Sequence, residues 1–196
     1  PRQCRSLLEQ YEHLELLVQP SAYRCYSDDE YRAEGIALSD DLGSCDILMG
    51  VKEVKLNALI GRKTYLFFSH TAKKQPYNRE LLQEVVRKEI QLVDYEYLTD
   101  EKGIRVVAFG RWAGVVGAYN ALRAYGLKSA AFSLKPASDC FDLEELLQEL
   151  KKVEMGSNRI LVTGGGRVAG GALEVLEAAG ILQVEPEEFL SGNFDR

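Results

Sequence analysis

Apolar and polar positions along the chain switch between a helical and a strand period, and the switching predicts helices and short strands in alternation. Residues 2–12 carry apolar side chains at helical spacing, and Leu14 to Val18 read as a strand. Ser27, with Glu30 three positions on, is the signature of a capped helix, which Gly35 closes. Ile36 to Leu38, Ile47 to Val51 and Tyr65 to Phe68 then read as strands. Asn78 is expected to cap a helix to Glu89, whose Leu81, Leu82, Val85 and Val86 form one apolar stripe. Ile90 to Leu98 alternates as a strand, and a TDEKG turn leads in hairpin fashion to Ile104–Phe109. A long, buried helix follows over 108–128, with small residues at Gly114, Gly117, Ala118 and Ala121. Next come a loop containing Pro136, a helix capped by Asp142, and a strand at Arg159–Thr163. This order predicts an α/β protein of two doubly wound, Rossmann-like domains, 1–127 and 128–196, with a cleft between them and the second domain incomplete.

Two of the apolar runs end directly in ionisable residues. The first meets Lys52-Glu53 and the second reaches His70. Adjacent parallel strands deliver a lysine and a histidine to one sheet edge, and open α/β sheets bind ligands outside the carboxyl ends of their strands. A lysine with its pKa lowered by partial burial, beside an imidazole, makes an acid/base pair. The same spacing fits a wetted strand end and a satisfied turn histidine, so spacing alone leaves both open. The polar segment after His70 is expected to be a loop on the functional side.

A second signature lies in GGGRVAGGA, which follows an apolar run and opens a helix. Gly164 suits the tight turn, Gly166 lets backbone amides approach a pyrophosphate, and Ala169 stands where a third glycine often packs on the sheet. Arg167 is placed to add a charged contact. Glu185, about 20 residues on, is expected to be the acid that meets the adenosine ribose, which favours NAD as cofactor.

Composition changes this picture little. A net charge of −6 with no long basic run argues against a nucleic-acid partner. No apolar run reaches the length of a membrane span and there is no signal-peptide pattern, so a cytoplasmic protein is expected. Four scattered cysteines suggest neither a zinc site nor a disulfide framework. Only His13 and His70 can do imidazole chemistry, and His13 reads as a surface residue. Both ends read as cut, one strand short in front and several units short behind.

The stretches MGVKEV, FFSHTAKKQ and LVDYEYLTDEKGIRVVAFGRWAG, with GGGRVAGGA in its place, resemble the lysine-forming, NAD-dependent saccharopine dehydrogenases. The resemblance spans about residues 46–180. The VKE and histidine motifs are similar, more distantly, to those of alanine dehydrogenase and the transhydrogenase nucleotide-binding subunit. It implies oxidative deamination of saccharopine to lysine and 2-oxoglutarate, with a small amino-acid substrate and NAD. Lys52 is then the base for the secondary amine, and His70 the acid/base for water. Glu53 and Glu96 look like the carboxylates that tune them, while Lys73, Gln75 and Arg105 resemble substrate-facing residues. Gly166 and Arg167 match the pyrophosphate-binding turn, and Phe109 matches a nucleotide-side aromatic. The turn departs in reading GGGRVA, and the family's arginine-bearing N-terminal strand lies outside these residues. The alternatives are an alanine or other amino-acid dehydrogenase, and a non-catalytic NAD-binding protein.

Overall fold

A computed structural model describes residues 1–192, and the chain divides into two compact units, Pro1–Val107 and Ala108–Arg196. The first holds α1 (Arg2–Gln10), β1 (Leu17–Val18), α2 (Asp28–Ala33), β2 (Ala37–Leu38), β3 (Ile47–Met49), β4 (Thr64–Phe67), α3 (Arg79–Arg87) and β5 (Gln91–Asp94). The second holds α4 (Gly110–Ser129), α5 (Leu143–Leu150), α6 (Arg167–Ala178) and α7 (Pro186–Ser191). The long helix therefore begins the second unit, ahead of the division at 127/128 expected from sequence.

In the first unit β1 pairs with β2, and β3, β4 and β5 form a second sheet in that order, every pairing parallel. Parallel pairing needs a crossover between strands, and the α3 crossover from β4 to β5 supplies the apolar face that covers the sheet. Leu48, Tyr65 and Leu92 sit in one register row, so their side chains share a face. That face closes over Leu59, Phe67, Leu81, Val85 and Ile90 as one core, each large side chain stabilising the fold by about 1.5–3 kcal/mol. The Ile60 amide donates to the Tyr65 hydroxyl at 2.8 Å, so the buried ring keeps its polar tip satisfied. The α/β class with parallel sheets, consistent with a Rossmann-like domain, is as the sequence predicts.

Local differences have local causes. Only Leu81 and Val85 of the α3 stripe are buried; Leu82 and Val86 face outward. The strand expected to run to Leu98 stops at Asp94, because the Asp94 side chain accepts the Glu96 amide and turns the chain into one turn of 3-10 helix at Tyr95–Tyr97. The expected hairpin shrinks to a single antiparallel bridge, Thr99 to Arg105. Asn78 does not cap α3, since a 3-10 turn at Pro76–Asn78 runs straight into the helix and leaves Asn78 helical. The capping box of Ser27 with Glu30 and the Asp142 cap of α5 both form.

The second unit is organised by α4 against α6. An added Cβ on Gly114 would lie 2.0 Å from the Val168 carbonyl oxygen, and one on Gly171 would lie 2.0 Å from that of Arg111, so the two backbones touch. Val115, Tyr119, Leu122, Leu134, Leu146, Leu150, Val175 and Leu176 fill the core around this crossing. The segments at 159–163, expected as a strand, and at 181–185 have no ladder partner among the described residues. Their side chains still alternate: Ile160 and Val162 rest on the core while Leu161 points away.

Candidate active site

Because β3 and β4 are parallel neighbours, their carboxyl ends fall together, and the ladder continues past them in a bond from the Phe68 amide to the Val51 carbonyl. Lys52 and His70 thus both leave the sheet at one edge, and β5 ends beside them at Asp94, two residues before Glu96.

Glu96 is the hub. Its carboxylate lies 3.3 Å from His70 Nδ1, 3.1 Å from Lys73 Nζ and 3.7 Å from Arg105, with 15% of the side chain exposed. The Lys73 ammonium, with help from His70, holds the Glu96 carboxyl below the usual carboxylate range, against the opposing effect of burial. Lys73 Nζ also lies 3.3 Å from His70 Nδ1. The imidazole can therefore donate from Nδ1 to Glu96, leaving Nε2 basic, or accept from Lys73 at Nδ1, leaving the proton on Nε2. Both contacts are 3.3 Å long, so the geometry favours neither tautomer.

His70 sits at φ 55°, a left-handed conformation that costs a non-glycine residue about 1–3 kcal/mol and persists only where its surroundings enforce it. Three side chains outside the predicted site residues surround it. Ser69, fully buried, donates to Asp94 at 2.6 Å and accepts the Thr71 amide at 3.2 Å. Asn78, 5% exposed, donates to the His70 carbonyl at 3.1 Å. A serine before a histidine at a strand end and an aspartate at the next strand end are the only traces of this in the sequence.

The remaining expected residues stand apart from that cluster. Lys52 and Glu53 are both exposed, and no hydrogen bond or ion pair joins either to another described residue. The partial burial expected for Lys52 is thus absent from the chain itself. Gln75 accepts from the Tyr77 hydroxyl at 2.6 Å.

In the second unit Gly164 turns at φ 93°, a conformation that favours glycine, and Gly166 stands at the N-cap of α6 with Arg167 as its first residue. A Cβ added at Gly164, Gly165 or Gly166 meets nothing within 4 Å, so the bend is open above a helix whose first turn carries no acid. These features fit a pyrophosphate, for which the helix N-terminus supplies amides and a favourable dipole. Ala169 is buried, but the close approach a third glycine serves falls on Gly171, against α4 instead of a sheet. Phe109 precedes α4 at its N-cap position and is half exposed. Glu185 lies at no strand end: it caps α7, its carboxylate taking the Glu188 amide, and so it does not fit the ribose role.

The parallel sheet thus gathers ionisable side chains at its carboxyl edge, where open α/β sheets bind ligands. The family model for the alanine dehydrogenase/PNT N-terminal domain matches residues 1–116, and the chain belongs to that family. It is 36% identical over 191 residues to the mitochondrial alpha-aminoadipic semialdehyde synthase of Mus musculus, covering 88% of this chain and 21% of that protein. To the alpha-aminoadipic semialdehyde synthase of Arabidopsis thaliana it is 38% identical over 111 residues, 57% of this chain and 10% of the relative. It is also 30% identical over 178 residues to the NAD(+), L-lysine-forming saccharopine dehydrogenase of Neurospora crassa, 84% of this chain and 48% of the relative. The chain thus spans about a fifth of the mouse relative and about half of the fungal one. The resemblance to saccharopine dehydrogenases is borne out. No described helix is long and apolar enough to cross a membrane.

Proposed function

We propose that this chain is part of an NAD-dependent oxidoreductase acting on the CH–NH bond of an amino acid, and that the reaction is oxidation of saccharopine to lysine and 2-oxoglutarate. The observation that carries this reading is the Glu96 hub, which brings His70, Lys73 and Arg105 to the carboxyl edge of a parallel sheet. The names of the fungal relatives support the substrate.

Lys52 takes the proton from the substrate's secondary amine, freeing the nitrogen lone pair so that the C–H bond can break as hydride. Lys52 is exposed in the chain itself, so bound substrate is what would cover it. Gly164, Gly166, Arg167 and Ala169 would hold the pyrophosphate of NAD, which would supply the hydride acceptor. His70 takes a proton from water as the oxygen adds to the imine carbon, then gives a proton to the departing nitrogen of lysine. Lys73 and Arg105 clamp substrate carboxylates, while Glu53 and Glu96 set the charge balance around Lys52 and His70. The four cysteines, Cys4, Cys25, Cys45 and Cys140, are free thiols, which suits the cytoplasm as the compartment.

The exposure of Lys52 favours a second reading, NAD binding without turnover. NADH formation by the intact protein with saccharopine, alanine and lysine in turn, alongside NAD binding, separates the readings. Turnover with saccharopine alone is expected. Turnover with alanine moves the assignment to an alanine dehydrogenase, and NAD binding without NADH from any substrate establishes the non-catalytic protein.

A further inference from the structure

We propose that Ser69 and Asp94 form a positioning bridge that holds the His70 imidazole against Glu96. This inference deepens the reading above and depends on it for its kinetic arm only. Asp94 ends β5 and uses both carboxylate oxygens: Oδ2 accepts the Ser69 hydroxyl at 2.6 Å, and Oδ1 accepts the Glu96 amide at 2.8 Å. One side chain thereby ties the residue before the histidine to the turn that carries its carboxylate partner. Ser69 extends the bridge by accepting the Thr71 amide and meeting the Thr71 hydroxyl at 2.8 Å, so the residues on both sides of His70 are fixed. Asn78 closes the ring from beneath by donating to the His70 carbonyl.

The chemistry of the bridge is specific to a carboxylate. Asp94 receives two donors on two oxygens, so an amide in its place must turn an NH2 group toward one of them. Ser69 is fully buried, and its loss takes from the Asp94 oxygen and the Thr71 amide the partner that ties them together. Neither residue touches the space in front of the imidazole through any bond described here, so both act through His70. Lys73, Glu96 and, through Glu96, Arg105 are the charged groups that face the ring. A ring that drifts from Glu96 loses the choice between its two tautomers, and a displacement of about 1 Å at a proton-transfer group costs up to about a hundredfold in rate.

The test uses Ser69→Ala and the nearly isosteric Asp94→Asn, with Thr64→Ala as control, since Thr64 bonds Gln91 at the far end of the same sheet. With two histidines in the chain, ring 15N resonances of His70 and His13 are separable. Both variants should move the His70 Nδ1 resonance while His13 stays, and should lower kcat about tenfold or more with KM little changed. Amide exchange at Thr71 and Glu96 in the parent protein needs no variant, and both amides should be protected. An unmoved His70 resonance in a folded variant, or Thr71 and Glu96 amides that exchange as freely as an exposed turn, overturns the proposal. A parent protein without turnover whose His70 resonance still moves in the variants leaves the bridge standing and removes the saccharopine reading instead.

Discussion

Gly170 and Gly171 are neighbours in α6, yet alanine should have opposite effects at the two positions. At Gly170 an added Cβ meets nothing within 4 Å, so Gly170→Ala keeps only the gain in helix propensity, about 1 kcal/mol. At Gly171 the same atom would stand 2.0 Å from the Arg111 carbonyl oxygen and 3.0 Å from the Val115 amide nitrogen. Ordinary contact begins near 3.4 Å, so α4 must retreat by more than an ångström along a face that includes Val115 and Leu122. Overpacking of this kind costs about 1–3 kcal/mol, and separating the helices forfeits dispersion around the buried Val175 as well. After the propensity gain is subtracted and the lost dispersion added, Gly171→Ala should destabilise the second unit by about 1–2 kcal/mol. In a chain of this size about 1 kcal/mol moves Tm by roughly 2–4 °C, so thermal and urea unfolding resolve the two variants easily. A Gly171→Ala protein as stable as its parent would falsify the backbone contact between α4 and α6.

Lys52→Met should abolish NADH formation and leave NAD affinity nearly unchanged, because the base belongs to the first unit and the glycine bend to the second; titration calorimetry beside the rate assay checks both halves. His70→Gln should slow turnover less severely and alter its pH profile, and an unchanged profile would make the imidazole structural. Because the Glu96 carboxyl is held below its ordinary range, the stability drawn from its ion pairs is complete above that range and is lost as pH falls through its lowered value. Glu96→Gln should therefore flatten that part of the acid limb in a stability-versus-pH series. Asp142→Ala removes the acceptor of the Glu145 amide at the start of α5 and should cost about 1 kcal/mol in urea unfolding.

The strand pair that carries Lys52 and His70 was legible because each apolar run is short, buried on one face and followed at once by ionisable residues. The carboxylate partner was less so: periodicity places Glu96 late in a long strand, whereas Asp94 halts that strand by capturing the Glu96 amide. Local side-chain capture of this kind leaves the apolar period intact, so the pattern alone overruns it. The hairpin to Phe109 failed for the same reason, since a strand that has already turned offers no ladder. At 159–163 the period of two is genuine, but a strand also needs a backbone partner, which no window of sequence reveals. Burial of Lys52 was inferred from its place behind an apolar run, yet in β3 the side chains of Ile47 and Met49 are themselves exposed. Family resemblance supplied Lys73 and Arg105, which spacing could not have linked to Glu96.

The tight seam between α4 and α6 gives the second unit a mechanical property. The two helices begin at the glycine bend and next to Phe109, and the Arg111 guanidinium clasps Glu174 across them, so they translate as a single stiff body. Any displacement of the glycine bend is therefore shared by the first turn of α4.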